Sequence, residues 1–318
     1  MKKTFAVAGS VLVDKINEIS AYPKSGELVK IKKVSKALGG CVPNVAVDLK
    51  RLAPDYTVKA VGCVGADEEG EFVVQALKQE NVDTSMLLTA DDKTSFTEVM
   101  SVSGGQRTFF TYPGASSSFG FDEIDFDALN ADYLHLGYFL LLDKVDSGDG
   151  VKILAEAKRR GITTSIDLVS ENSDRYSLVL PALPYVDHLI INEVEAGALT
   201  GIEPKKENLQ KIAQALKEYG VKGKVIIHMP DVGVCLSENG FTEVRSYKLP
   251  DGFIQGTTGA GDAFCAGALI GIAQDKSDEE ILKIAGCSAV GALSKADAVS
   301  GMSSLENLRE LCKNFERK

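Results

Sequence analysis

Gly256-Thr257-Thr258-Gly259-Ala260-Gly261-Asp262-Ala263-Phe264 is the stretch on which the reading of this chain turns. Small residues open it, and an apolar run follows with Phe264, Cys265, Ala266, Leu269, Ile270 and Ile272. A helix apolar on every side is a buried helix. Its first-turn N–H groups have no partner within the helix and would face a protected space. Gly259, Ala260 and Gly261 carry almost no side chain, so an anion can approach those donors closely. The helix dipole adds about half a positive charge there. Asp262 lies in the same turn, where a carboxylate is costly unless paired or used. It can take a proton from a hydroxyl while the N–H groups steady a transferring phosphoryl group. Taken alone, the turn fits a second reading equally well: Asp262 favours the helix dipole, and the glycines permit tight packing.

Outward from this turn, strand-like and helix-like runs alternate. Strands are expected at 5–8, 57–64, 133–136, 162–166, 189–191 and 225–227, and helices at 43–52, 67–80, 150–160 and 207–219. Such βα alternation predicts an α/β fold with a mostly parallel sheet flanked by helices. Two regions depart from it. Residues 27–38 are extended and polar, and 94–102 and 107–112 read as a hairpin around Ser103-Gly104-Gly105-Gln106. Residues 1–318 therefore read as one domain carrying a small β lid, formed by about 11–38 and 94–112.

Composition narrows the function. The chain has 318 residues and a formal net charge of −10, which disfavours broad binding to nucleic acid or an anionic membrane. The six cysteines contain no C-x-x-C pair, so reduced buried thiols in a cytoplasmic protein are expected. Three histidines make a histidine-rich metal centre improbable. The N-terminal apolar run, closed by Asp14, reads as a first strand rather than a signal peptide. The apolar run at 263–273 is shorter than the ~20 residues of a spanning helix. Neither the P-loop pattern nor G-x-G-x-x-G after a strand occurs, and H-E-x-x-H and the calcium loop are also missing. The acidic run 122–127 reads as a solvated turn or helix start.

A second motif decides between the two readings of the Gly-Ala-Gly-Asp turn. Gly39-Gly40-Cys41-Val42-Pro43-Asn44 also places glycines and an Asn at a helix start. Gly40 allows a ligand close to the backbone, and Asn44 can donate and accept toward a polyol. With Asn192-Glu193-Val194-Glu195 between them, the three motifs resemble in order and spacing the ribokinase-like, or PfkB, carbohydrate kinases. The resemblance spans essentially the whole chain.

It implies a ribokinase-like fold and transfer of the γ-phosphate of ATP to a hydroxyl of a small sugar. Asp262 matches the general base, and Gly259, Ala260 and Gly261 match the anion hole. Asp14, Gly39, Gly40 and Asn44 match sugar contacts, and Arg107 on the lid can reach the substrate. Tyr138 and Arg175 are further candidates of that kind. Thr258 and Gly233 fall on the nucleotide side, and Asn192 and Glu195 match the motif that organises Mg2+ through water. The chain departs from the family pattern at Gly256, where an Asp commonly helps bind a monovalent cation, and at His228 and Pro230 near the nucleotide turn. Carbonyls of 294–300 and the Ser300 hydroxyl remain as donors, so weak or absent potassium activation is expected. The alternatives are a nucleoside kinase, with a base pocket built from Phe96, Phe109 and Phe110, and a sensing protein that has lost turnover. Apolar lid strands suggest a homodimer through the lid.

Overall fold

The computed structural model describes residues 2–102, 107–170 and 173–318, so the Ser103–Gln106 hairpin turn lies outside the described residues. The first part of the chain runs β1 (Thr4–Gly9), β2 (Leu12–Ile19), β3 (Ile31–Gly39), α1 (Cys41–Leu52), β4 (Thr57–Gly65) and α2 (Glu68–Gln79). β5 (Asp83–Ala90), β6 (Ser95–Val102), β7 (Arg107–Tyr112), α3 (Phe126–Leu129), β8 (Tyr133–Phe139), α4 (Gly150–Arg159) and β9 (Thr163–Leu168) follow. The last part holds β10 (His188–Asn192), α5 (Glu193–Thr200), α6 (Leu209–Glu218), β11 (Lys224–Met229), β12 (Val232–Ser237), β13 (Gly240–Arg245), α7 (Ala260–Ala273), α8 (Asp278–Leu293) and α9 (Leu305–Cys312).

Nine strands form one sheet in the order β13-β12-β11-β10-β9-β8-β1-β4-β5. All neighbours are parallel except β11–β12 and β12–β13. The strands are apolar on both faces because both faces are covered. Along β1, Phe5 and Val7 enter a core with α1, α7 and α8, while Ala6 and Ala8 enter one with α4 and α6. As expected, α7 is buried along nearly its whole length. No helix among the described residues is long and apolar enough to cross a membrane. All six cysteines are free and buried.

The second sheet has the order β3-β2-β6-β7 and stands beside the first. It comprises the two segments expected to form the lid, and β6 and β7 pair antiparallel as the hairpin reading requires. Within 27–38, the strand begins only at Ile31, and its pairing shifts between Glu18 and Ile19. Asp14 does not follow the first strand but sits inside β2, opposite Thr97 of β6. Four strands escaped the sequence reading: the N-terminal run expected as one strand splits into β1 and β2, and β5, β12 and β13 were not expected. β5 is a half-exposed edge with weak alternation, and β12–β13 is an antiparallel extension that breaks the βα rhythm. The acidic run ends as a helix start, with the Asp125 carboxylate accepting from Asp127 and Ala128 N–H.

Candidate active site

Loops and helix starts converge at the carboxyl ends of the central strands, where open α/β sheets present their ligand crevices. The chain enters α7 through Gly259, whose φ of +77° suits a residue without a Cβ. A Cβ there would lie 2.6 Å from Ala298 Cα and O, so the loop before α9 presses directly on the turn. Ala260 N–H already turns to Thr257 O (3.3 Å). Gly259 and Gly261, not Ala260, line a cavity of about 180 Å³ together with Tyr138, Asp167, Glu195, His228 and Asp262.

Asp262 is 4% exposed. Its Oδ2 accepts from Asn44 Nδ2 (2.9 Å) and Tyr138 Oη (3.0 Å). Among the described residues no hydrogen bond falls on Oδ1. Burial pushes the carboxyl from 3.8 up to about 7, with the Asp167 charge adding to the rise. The bonds from Asn44 and Tyr138 pull the other way. Asn44 Oδ1 is buried without a partner, an acceptor that a hydroxyl donor would satisfy.

Tyr138 ties two carboxylates together. Its hydroxyl bonds Asp262, and its N–H donates to Asp167 Oδ1 (2.7 Å). Its φ is +57°, unusual for a bulky residue and the kind of backbone strain that the surrounding structure must hold in place. Burial holds the phenol well above its ordinary range, so it remains a donor. Removing one hydrogen bond to a charged group costs ~1.5–3 kcal/mol. Tyr138→Phe should therefore raise the Asp262 carboxyl by on the order of one pH unit. The acid limb of the kcat/KM profile should move up with it, with partial recovery of rate at alkaline pH. An unmoved limb would detach Tyr138 from Asp262.

Asn192 and Glu195 meet at the start of α5. Asn192 Oδ1 accepts from Glu195 N–H (2.9 Å), and Glu195 Oε2 accepts from Asn192 N–H (3.0 Å), closing a capping box. Ser170 Oγ donates to Glu195 Oε1 (2.7 Å). Glu195 is buried rather than solvated, and burial raises its carboxyl to about 7. 

On the small sheet, Gly39 packs so closely under Asp14 that a Cβ would lie 2.7 Å from Asp14 Oδ1. Burial raises the Asp14 carboxyl to about 6, with the Arg107 charge opposing. Gly40, with φ +84°, presses against Ser10 O at the start of α1. Arg107 reaches across from β7, donating to Thr258 Oγ1 and, at 3.2 Å, to Ala296 O.

Several expected site residues fall elsewhere. Gly233 is not in a turn. It is paired with His228 inside the β11–β12 hairpin, and a Cβ there would meet Phe264 and Leu282. The turn is made by Pro230 and Asp231 instead, because the strand is followed by an antiparallel partner. Ser300 N–H bonds Asp297 Oδ1 (2.7 Å), which makes it part of its own loop. Arg175 pairs with Asp146 (3.4 Å) and Leu140 O (2.8 Å). His228 lies at the cavity beside Gly261, and burial lowers it to about 4, so it is neutral. Asp167 was missed by the sequence reading. Its signal was available: a carboxylate directly after the expected strand at 162–166, at the strand end where ligands bind.

A helix start with a buried carboxylate in its first turn, at the strand ends of a doubly covered parallel sheet, is an arrangement that can hold a phosphate. The profile of the pfkB family carbohydrate kinases matches residues 6–304, and the chain belongs to that family. It is thus a kinase, a phosphotransferase with an alcohol group as acceptor. The chain is 26% identical to a ribokinase of Arabidopsis thaliana over 314 residues, covering 96% of this chain and 80% of the relative. It is 28% identical to an adenosine kinase of Schizophyllum commune, covering 76% and 75%. The solved Arabidopsis thaliana ribokinase complexed with ribose and ATP has a similar fold, with a TM-score of 0.84, 24% identity and coverage of 98% and 99%.

Proposed function

We propose that this chain transfers the γ-phosphate of ATP to a hydroxyl of a small neutral sugar, with Asp262 as general base. The observation that carries the reading is the carboxylate held through one oxygen by Asn44 and Tyr138 in the first turn of α7, beside the cavity. Oδ1 is left to take the hydroxyl proton. Asp14 and the unpartnered Asn44 Oδ1 offer acceptors for sugar hydroxyls. The N–H groups of Gly259 and Gly261 face the transferring phosphoryl group, and the small sheet closes over the substrate as a lid. Closure excludes water, which otherwise competes as acceptor.

The donor chemistry also fits magnesium. Asn192 and Glu195 are oxygen donors beside the same cavity, and Ser170 and Asn192 already occupy Glu195, which suits a contact through water. Bound there, the ion would neutralise charge on the β and γ oxygens of the nucleotide.

A nucleoside acceptor is the second reading, and the lid disfavours it. The register puts Phe109 on the face of Asp14, through the pairs Asp14–Thr97 and Thr97–Thr111, but puts Phe96 and Phe110 on the opposite face. A single aromatic ring makes a poor base pocket. Exposed Leu28, Val34 and Phe110 support pairing of two lids in a homodimer. The six buried free thiols suit a cytoplasmic setting. An ADP-release assay over a panel of sugars and nucleosides tests the proposal. Turnover with nucleosides alone would reverse the order of the two readings, and none with any acceptor would favour the sensing protein.

Potassium response follows from the loop before α9. A Cβ at Gly256 would lie 2.8 Å from Ala296 O, so no carboxylate fits there without moving that loop. Two of the nearby carbonyls are already engaged by guanidinium groups, with Arg107 on Ala296 O (3.2 Å) and Arg51 on Val299 O (2.6 Å). The initial rate should be flat against KCl at constant ionic strength. Gly256→Asp should lower stability rather than install a response. Saturable activation at millimolar potassium would refute this.

A further inference from the structure

At the wall of the cavity lies a cluster of metal-ligating side chains: His135 on β8, Asp167 on β9 and Cys265 on α7. All three are buried, and their ligand atoms lie within 4.8 Å of one another. His135 Nε2 is 3.6 Å from Asp167 Oδ2 and 3.6 Å from Cys265 Sγ. These separations approach those between neighbouring ligands around a tetrahedral ion with bonds of ~2.0–2.3 Å.

Two of the three are held from behind by atoms that would not touch the ion. Ser165 Oγ bonds His135 Nδ1 (3.0 Å), which leaves Nε2 for a ligand. Tyr138 N–H bonds Asp167 Oδ1 (2.7 Å), which leaves Oδ2. Such contacts orient metal ligands and set the imidazole tautomer. Asp167 and Cys265 also line the cavity, so an ion has a way in and an open fourth position.

We infer that His135, Asp167 and Cys265 form a binding site for one thiophilic divalent cation of the zinc class, whose occupancy inhibits phosphoryl transfer. A thiolate and an imidazole select such ions over magnesium, which prefers oxygen. With Cys265 as thiolate, Asp167 ionised and His135 neutral, the bound site has zero net charge, as a buried site requires. On binding, the Cys265 thiol gives its proton to solvent. Inhibition arises because the ion's open position faces the cavity that also contains Asp262 and Gly261. The inhibitory part rests on the kinase reading; the binding part does not.

The test titrates Co2+ into the full-length chain and records its absorption. One equivalent should give a thiolate-to-cobalt band with the visible bands of a tetrahedral ion, and Zn2+ should displace it. The band should vanish in Cys265→Ala, and binding should weaken by about tenfold or more in His135→Gln. With Mg-ATP and a productive acceptor, Zn2+ should inhibit the wild type, and Cys265→Ala should need at least about tenfold more zinc, each rate taken relative to its own zinc-free value. No band in the wild type, or an equal band in both variants, overturns the site. Equal zinc inhibition of wild type and Cys265→Ala overturns the regulatory role. A chain that binds cobalt in this way but phosphorylates nothing keeps the site and discards the kinase reading.

Discussion

Asp262→Asn is expected to lower turnover by about a thousandfold, within the range general base catalysis supplies, while making the fold more stable at neutral and alkaline pH. The two effects have one cause. In the folded chain burial lifts this carboxyl from 3.8 to about 7. Between those values the folded state keeps a proton that the unfolded state has lost, so stability falls as pH rises through the window. Above about 7 the full cost of the buried charge is present. A shift of about three units corresponds to an upper figure of ~4 kcal/mol, of which Asn, uncharged and of the same shape, should recover a part. Denaturant unfolding at pH 8 should find the variant more stable than wild type, with the gap closing below pH 4. Sugar and ATP binding by calorimetry should remain near normal. Turnover near that of wild type would remove Asp262 from the chemistry. Lower stability at pH 8 would show that the carboxylate holds the fold together rather than straining it.

Gly259→Ala is expected to damage both stability and phosphate binding. At φ +77° an alanine carries left-handed strain of ~1–3 kcal/mol. Its Cβ would also meet Ala298 backbone at 2.6 Å. No flexible side-chain end is there to yield, so either the helix start or the loop must move. Overpacking of this kind adds ~1–3 kcal/mol. Under the proposed mechanism the displaced first turn would no longer aim its N–H groups at the phosphoryl position, and loss of one such donor costs about a hundredfold or more in kcat. The expected outcome is a melting temperature lower by several degrees, with kcat reduced at least about a hundredfold. Gly261→Ala is the control, because a Cβ there would approach His228 only to 3.8 Å. It should melt near wild type. Equal loss of stability in the two variants would mean that the Ala298 contact is not what makes Gly259 necessary.

Read alone, the sequence determined the parts whose signal is local. The all-apolar run after Asp262, the βα alternation, the hairpin at 94–112 and the small-residue helix starts each follow from a few consecutive side chains. They correspond to α7, the parallel sheet, β6–β7, and the starts of α7 and α1. Tertiary structure alone decided what depends on approach between distant residues. Nothing local shows that Asn44, Tyr138 and Asp262, up to 218 positions apart, share one carboxylate oxygen. Gly233 was expected on the nucleotide side, but an antiparallel partner strand makes it a packing glycine inside the β11–β12 hairpin. The missing carboxylate at Gly256 reads in sequence as a lost ligand. In three dimensions Ala296 occupies the space that its Cβ would need. Whether Asp262 is charged was also beyond local reading, since burial and the neighbouring Asp167 set its proton affinity. Helix and strand preferences act over a few residues, whereas burial, repulsion between carboxylates and close backbone contact exist only once the chain has folded.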